Sequence, residues 1–347
     1  MDVIIKPLDD STLDLFKNCF DLNGSPKSRK KIKWQFLENP PASCFVDIAY
    51  DESKSRTTAI YAISSVYFKV GDKKVLGAQS LDTMTDINYR GQGFFTRLAN
   101  NVYTTAAESN VSLVYGFPNG NSIYGFKKKL AWEVLDPLPF LIRPLKTNYF
   151  TSRIKWLKFI PNINIPIKNF RGSKRYNINK KNSFPEDVNT IWDKFSQSFK
   201  VGVIRDKNYL EWRYISKPDE YYSIAHITNL NDEYLGYIIY TVKEKHNGKI
   251  AYIMELIYDP AIPDLGDMLL KYAMNDIKSQ NADCILSWCM DHSPNSKAYK
   301  KNFFLKMPVK LRPIELHFGA RSFDSKTSSL VNDRSNWYLS YSDSDTV

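Results

Sequence analysis

The sequence predicts an α/β fold built from two similar units in tandem. Two observations support this prediction: a Trp-centred motif occurs twice, and the apolar patterns around each copy follow the same order. The chain has 347 residues, which is more than one hydrophobic core usually organises, and 43% of them are apolar. We therefore expect two globular units.

The repeated motif is a Trp, an aromatic residue two positions later and a Pro six positions later. The copies lie at Trp34, Phe36 and Pro40 and at Trp212, Tyr214 and Pro218. Apolar residues of helical period precede each copy, over 13–20 and 191–199. Strand patterns follow at 58–70 and 75–85 in the first copy and at 222–227, 235–242 and 251–258 in the second. Each unit then continues with a helix, a strand and a short Lys-rich helix, at 94–109, 111–117 and 122–130 and at 265–279, 284–289 and 295–302.

We divide the chain into a first unit at 1–147, a connector at 148–182 and a second unit at 183–347. The connector is basic and rich in Asn and Ile-Pro steps, yet it contains Trp156, Phe159 and Phe170. It is too apolar for a disordered tether. We expect an ordered segment draped over the units, with an exposed basic arm as the alternative.

Composition excludes several protein classes. No apolar run approaches the roughly 20 residues of a membrane-spanning helix, and the amino terminus lacks the basic region of a secretory signal. The four cysteines and four histidines show no zinc-binding spacing, so we expect free thiols and no metal site. These features indicate a cytoplasmic protein.

The formal net charge of +11 favours polyanionic partners such as phosphorylated small molecules, anionic lipid or nucleic acid. Charge alone does not choose among them. The basic runs 27–33 and 168–181 are each interpreted as solvated loops.

The most informative motif is a Gly-containing loop between a strand and a helix. Asp82-Thr-Met-Thr-Asp86 ends a strand, and Arg90-Gly-Gln-Gly-Phe-Phe95 leads directly into an amphipathic helix. Glycines let backbone amides turn inward, and the helix amino terminus adds partial positive charge. The loop suits a phosphate group, although a simple tight turn has the same residues.

The stretch from Ser80 to Trp132 resembles the GNAT superfamily of acyl-coenzyme A N-acyltransferases. The family's loop has Arg or Gln, two residues, Gly, one residue, then Gly or Ala. Arg90 and Gly93 match this pattern, and Phe95 departs from it. The segments ending at Asn119 and Trp132 also look like family motifs. The resemblance implies that each unit is a mixed, mostly antiparallel sheet flanked by helices, and that the cofactor is acetyl-coenzyme A or another acyl-coenzyme A.

By the same resemblance, the pantetheine arm lies between two central strands that splay apart. Backbone groups of Thr83, Met84 and Thr85 would contact the pantetheine and the acyl carbonyl. The diphosphate would lie against Arg90 and the amides of the loop residues, which are Gly91, Gln92, Gly93, Phe94 and Phe95. Asn119 is a further candidate for cofactor binding, with helix capping as its alternative.

Transfer to an amine needs a base, and an acid can assist the leaving thiolate. Asp82 is the best candidate base because it lies on the strand expected to flank the thioester, and Asp86 is weaker. The family's acid is a Tyr five residues before the closing aromatic residue, a position held here by Lys127. Tyr124 is the nearest replacement.

The second unit has Tyr299 in the acid position before Phe304 but neither Arg nor paired Gly in its loop, 259–266. We interpret it as a degenerate copy without cofactor. The leading functional hypothesis is transfer of an acyl group, most simply acetyl, to the primary amine of a small acceptor. The resemblance to proteins of bacterial surface-polysaccharide and glycolipid gene clusters suggests an amino sugar on a nucleotide or lipid carrier. The alternatives are a Fem-type aminoacyl transferase that uses aminoacyl-tRNA and a non-catalytic binding protein.

Overall fold

The chain folds around two mixed β-sheets in a computed structural model that describes residues 3–151, 153–154, 156 and 159–347. The strands of the first half are β1 Val3–Pro7, β2 Cys44–Asp51, β3 Arg56–Val70, β4 Lys73–Thr85, β5 Val111–Gly116, β6 Glu133–Val134 and β7 Phe140–Pro144. The later strands are β8 Tyr176–Lys180, β9 Val201–Val203, β10 Ser223–Asn229, β11 Tyr234–Lys245, β12 Gly248–Tyr258, β13 Cys284–Trp288, β14 Leu305–Lys306 and β15 Gly319–Ser322.

The helices lie mainly on the faces of these sheets. They are α1 Leu13–Leu22, α2 Arg29–Phe36, α3 Phe94–Glu108, α4 Ile123–Lys129, α5 Asn148–Thr151, α6 Asp187–Ser196, α7 Lys207–Leu210, α8 Leu265–Ser279, α9 Asn295–Lys301 and α10 Ser325–Val331. In α3, buried residues recur at helical spacing, so one face of the helix covers the sheet.

The first sheet has the order β1-β2-β3-β4-β5-β15-β6, with β9 paired to β3, and the second has the order β14-β7-β13-β12-β11-β10-β8. Within each sheet one central pair is parallel, β4 with β5 and β12 with β13, and the other described pairs are antiparallel. The parallel pairs are the ones joined through the long helices α3 and α8, because a parallel connection needs a crossover. The predicted fold of two mixed, mostly antiparallel units is confirmed.

The two sheets exchange strands. β7 precedes the connector in sequence but pairs with β13 of the second sheet, whereas β15 comes late in the chain and pairs with β5 and β6 of the first. Each sheet is therefore completed by a strand from the other half of the sequence. The division of the chain into 1–147, 148–182 and 183–347 stays a prediction. Backbone pairing between strands crosses its boundaries.

Three apolar clusters hold the layers together. One lies between the first sheet and α3, a second lies under α1 and α2, and the largest joins the second sheet to residues of β3, β5 and the 337–347 segment. The 29–33 part of the first basic run is helical rather than a loop, because Ile32, Trp34 and Phe36 bury one face of α2. Among the described residues, no helix combines the length and apolar character needed to cross a membrane.

Candidate active site

The two central strands of the first sheet separate after Ser80. β4 and β5 pair in parallel from Leu76 opposite Val111 to Ser80 opposite Gly116. Beyond Ser80 the described residues form no further pair between them, although β4 continues to Thr85. A V-shaped opening results, with the Ser80–Gly116 pair at its apex.

A β-bulge at Asp82 lies just after the point where β4 stops pairing with β5. The pairing with β3 passes from Ala62 opposite Leu81 to Ile60 opposite Met84, which leaves one extra residue on β4. Asp82 has a φ of 52°, the left-handed region that Asp tolerates better than most side chains. The edge of Thr83 to Thr85 that faces the opening is consequently free to bond an extended ligand.

The loop that follows β4 presents unpaired amides. Gly91 and Gly93 have φ values of 80° and 78°, and Gly93 caps the amino terminus of α3. Within the described chain, no hydrogen bond is formed by the amides from Gly91 to Phe95. Arg90 is exposed beside them at the mouth of the opening. Free amides, a helix amino terminus and a guanidinium form a suitable cradle for a diphosphate.

The opening continues into a cleft of about 600 Å³ between the ends of β4 and β5, the start of α3, and α4. Six of the predicted residues line it: Asp82, Thr83, Thr85, Arg90, Phe95 and Asn119. The free strand edge, the unpaired amides and the cleft fit the pantetheine arm and diphosphate of coenzyme A. If acyl-coenzyme A binds there, it supplies the activated acyl group, and this chain supplies the donors that hold it.

One carboxylate oxygen of Asp82 is paired, and the other has no hydrogen-bond partner among the described residues. Lys27, from the loop after α1, bonds Oδ1, whereas Oδ2 is buried without a hydrogen-bond partner among the described residues. Burial raises the pKa of the Asp82 carboxyl, and the Lys27 ammonium works against that rise. A carboxylate with an oxygen that lacks a hydrogen-bond partner and with a raised pKa is equipped to accept a proton.

Asp86 has a structural role. Its Oδ1 accepts a 2.9 Å hydrogen bond from the Asn88 amide, and its Oδ2 pairs with Arg56 at 2.6 Å. Burial works against ionisation, but these partners hold the pKa of Asp86 below its usual value. Both oxygens are occupied, so Asp86 is poorly placed to take up a proton.

Tyr124 lies on the exposed side of α4. The residue is 66% exposed and is not among those that line the cleft. Asn119 lines the cleft, and its Oδ1 accepts hydrogen bonds from the amides of Asn121 and Ser122, just before α4, at 3.0 and 3.1 Å. Lys127 is exposed.

The loop phenylalanines point inward. Phe94 is buried, and Phe95 packs edge-on against Tyr61 and Phe126, with ring centroids 5.8 and 5.4 Å apart. Gly125 makes room for Phe95, since a Cβ there would lie 3.1 Å from its ring. Gln92 is exposed at the rim, and the Met84 side chain packs on the other face of the sheet, against the cluster under α1 and α2.

The corresponding opening of the second unit is filled by the chain itself. β12 and β13 pair only as far as Tyr252 and Leu286. Beyond that pair, Ser342 donates a 3.3 Å hydrogen bond to the Met254 carbonyl, and the Tyr341 ring stacks on Trp288 at 4.5 Å.

Glu255, the counterpart of Asp82, has both oxygens engaged. It accepts from Tyr338 through Oε1 and from Arg205 and Ser340 through Oε2, the latter two at 2.8 and 3.0 Å. At the start of α8, Asp267 pairs with Lys271 and Lys301. Carboxylates thus stand where the first unit offers free amides.

Sequence reasoning missed two residues of the site. Lys27 belongs to the basic run 27–33, and no local pattern distinguishes it from its neighbours, because its partner lies 55 positions away. Ser80 begins the stretch that resembles the family, but only the pairing of β4 with β5 places it at the apex.

Comparison with known proteins agrees with this geometry. Residues 9–135 match the family model described as an acetyltransferase (GNAT) domain. No functionally curated protein matches the sequence. A solved structure from Enterococcus faecalis V583, described as a probable N-acyltransferase, has a TM-score of 0.62 at 14% identity, with 94% of this chain and 74% of that chain covered.

The fold is also similar to that of Saccharomyces cerevisiae N-myristoyltransferase, solved with bound myristoyl-CoA. Its TM-score is 0.62 at 11% identity, and the match covers 97% of this chain and 89% of that one. At this identity the likeness concerns the fold. Residues 9–135 therefore match a GNAT acetyltransferase domain, and the fold of the chain is similar to that of N-acyltransferases.

Proposed function

We propose that this protein transfers a short acyl group, most simply acetyl, from coenzyme A to the primary amine of a small anionic acceptor, with Asp82 as the base. The observation that carries the proposal is the Oδ2 atom of Asp82, which is buried and has no hydrogen-bond partner among the described residues, in a residue that lines the cleft. Attack by the neutral amine forms a C–N bond and breaks the C–S bond, and Oδ2 takes the amine proton.

The same site gives each cofactor-binding residue a defined role. The main chain of Thr83, Met84 and Thr85 would bond the pantetheine arm, as an added strand bonds a sheet edge. The amides from Gly91 to Phe95, together with Arg90, would hold the diphosphate, and Asn119 would contact the arm from the end of β5. Tyr124 stays a candidate acid, and a Phe substitution at that position tests it.

Basic side chains near Asp82 support an anionic acceptor. Lys27 bonds the carboxylate directly, and Lys31 is close enough to act on it electrostatically. The charges of Lys27 and Lys31 suit an amino sugar on a nucleotide or lipid diphosphate carrier, of the kind used in surface-polysaccharide synthesis. We place the reaction in the cytoplasm.

Thermal stabilisation and an acceptor panel test the proposal. Acetyl-coenzyme A should raise the Tm by mass action, whereas tRNA should not. Stabilisation by tRNA alone would favour an aminoacyl transferase, and stabilisation by neither would favour a binding protein. With acetyl-coenzyme A and myristoyl-coenzyme A as donors, amines that carry phosphate should be acylated faster than their dephosphorylated forms, and the acetyl donor should be preferred.

A further inference from the structure

A chain of hydrogen-bonded side chains runs from the core to the apex of the cleft. Trp132 Nε1 donates to the Tyr103 hydroxyl at 3.0 Å, the hydroxyls of Tyr103 and Tyr61 lie 2.5 Å apart, and the Tyr61 hydroxyl lies 3.0 Å from Ser80 Oγ. All four residues are buried, and Ser80 and Trp132 also line the cleft.

The Trp132 N–H at one end fixes the direction of every hydrogen bond in this network. An indole N–H can only donate, so the Tyr103 oxygen accepts from it. The Tyr103 hydrogen then goes to Tyr61 and the Tyr61 hydrogen to Ser80. The reverse order would leave the buried Tyr103 hydrogen without an acceptor among the described residues, which is unfavourable. Burial raises the pKa of both tyrosines, so both keep their hydrogens at neutral pH.

With this direction, the hydroxyl hydrogen of Ser80 is the one that has no acceptor among the described residues. Within the described residues, Ser80 Oγ has no partner other than the Tyr61 hydroxyl, and it belongs to a residue that lines the cleft. Ser80 therefore presents a hydrogen-bond donor to the cleft, held in position by a tyrosine that donates to its oxygen.

The apex is also where the reacting end of the donor arrives. In the proposed function the diphosphate lies at Gly91 to Phe95 and the pantetheine runs along Thr85 to Thr83, so the thioester follows towards Ser80. Gly116 keeps the apex open, because a Cβ there would lie 2.9 Å from the Ser80 carbonyl oxygen and 3.3 Å from the Trp132 ring.

We propose that Ser80 Oγ donates a hydrogen bond to the thioester end of the acyl donor, and that Tyr61 and Tyr103 are its positioning residues. The proposal rests on the proposed function. Negative charge develops on the carbonyl oxygen and then on the departing sulfur, and a donor fixed in a dry site stabilises either charge more strongly than the neutral ground state. Ser80 keeps its proton throughout, because Asp82 receives the proton of the amine.

Calorimetric binding to four probes tests this inference. Coenzyme A and desulfo-coenzyme A differ in the sulfur, whereas acetyl-coenzyme A and the thioether S-ethyl-coenzyme A differ in the carbonyl oxygen. Ser80→Ala should lose roughly 3- to 10-fold in affinity for the member of a pair that carries the accepting atom, and keep its affinity for the other member. A selective loss in the first pair identifies sulfur as the acceptor, and one in the second pair identifies the carbonyl. Equal losses for all probes, or none, would overturn the proposal.

Matched variants separate the donor from general packing. Ser80→Thr keeps the hydroxyl and should restore the selectivity, Tyr61→Phe should show part of the loss, and Tyr103→Phe should also shift the Trp132 fluorescence. Tyr115→Phe is the control, because it removes a buried hydroxyl that does not belong to this hydrogen-bond network. That hydroxyl donates to the main-chain carbonyl of Asp343. If the parent protein binds none of the probes, both this inference and the proposed function fail. If it binds them without turnover of any amine, the proposed function fails alone.

Discussion

Trp34 and Trp212 stack face to face, and each indole N–H donates to the main-chain carbonyl of the other. The ring centroids lie 4.7 Å apart, the rings are inclined by 15°, and the two hydrogen bonds measure 2.9 and 3.0 Å. The residues are the two copies of the repeated motif, separated by 178 positions. Such reciprocity between equivalent residues is the contact expected across a two-fold axis, here inside a single chain.

The Trp pair should couple the two halves energetically. Trp34→Phe and Trp212→Phe should each lower the free energy of unfolding by about 1–3 kcal/mol, because each loses a partly buried hydrogen bond and part of the stack. Urea titration of both single variants and the double variant gives the coupling energy, expected at about 0.5–3 kcal/mol. Simple additivity would mean that the contact does not link the units.

The first unit should not be stable alone. A fragment of residues 1–147 lacks β15, which pairs with β5, and it exposes β7 without β13. Unpaired strand edges and open apolar surface promote aggregation. Size-exclusion chromatography should show aggregates, and coexpression with residues 148–347 should restore a soluble complex. A monomeric fragment with parental affinity for coenzyme A would contradict the prediction.

Gly93 should be required for coenzyme A binding, because its backbone conformation shapes the loop that we propose for the diphosphate. Gly93→Ala should lower the affinity at least 10-fold, since an alanine at a φ of 78° disfavours the conformation of the loop. Gly172 has the same φ and, like Gly93, no atom within 4 Å of an added Cβ, so Gly172→Ala is the matched control. Similar affinity in both variants would remove the loop from the site. Gly266 is a poor control, because a Cβ there would lie 2.5 Å from the Tyr258 ring.

Asp82→Asn should preserve coenzyme A affinity and lower turnover by roughly two to four orders of magnitude. Because the base works when deprotonated, kcat/KM of the parent should rise as the pH increases through the raised pKa of Asp82, and this rise should disappear in the variant. The loss should shrink as the pH nears the pKa of the acceptor amine. Parental turnover across the pH range would assign Asp82 to structure.

Lys27→Met tests the Asp82 carboxylate by removing its ion-pair partner. Without the ammonium, which lowers the pKa of Asp82, the rise of kcat/KM should move to higher pH by about one unit. The stability effect has a defined sign. Because the folded pKa of Asp82 lies above its ordinary value of 3.8, protonated Asp82 stabilises the fold below pH 3.8. This stabilisation is lost as the pH rises through the folded pKa. The free energy of unfolding of Asp82→Asn, measured with urea at several pH values, should therefore not show that loss.

The sequence by itself determined the features that depend on neighbouring residues. The alternation and spacing of apolar residues predicted β3, β4 and α3 within a few positions. The Arg-Gly-Gln-Gly loop predicted a tight turn at the start of α3, because a turn, a glycine and a helix start are local properties. The internal repeat indicated two similar units, and the stacked Trp34 and Trp212 are its most direct expression in the structure.

Only the tertiary structure decided which distant residues meet. The exchange of β7 and β15, the pairing of Lys27 with Asp82 and the filling of the second cleft by the 338–343 segment each join residues many positions apart, and no local pattern encodes such contacts. The same holds for Ser80. Its place at the apex follows from where two strands stop pairing, and the direction of its hydrogen bond follows from Trp132, 52 positions away in the sequence. Packing and hydrogen-bond satisfaction in the folded core, rather than the residue types alone, determine what these side chains can do.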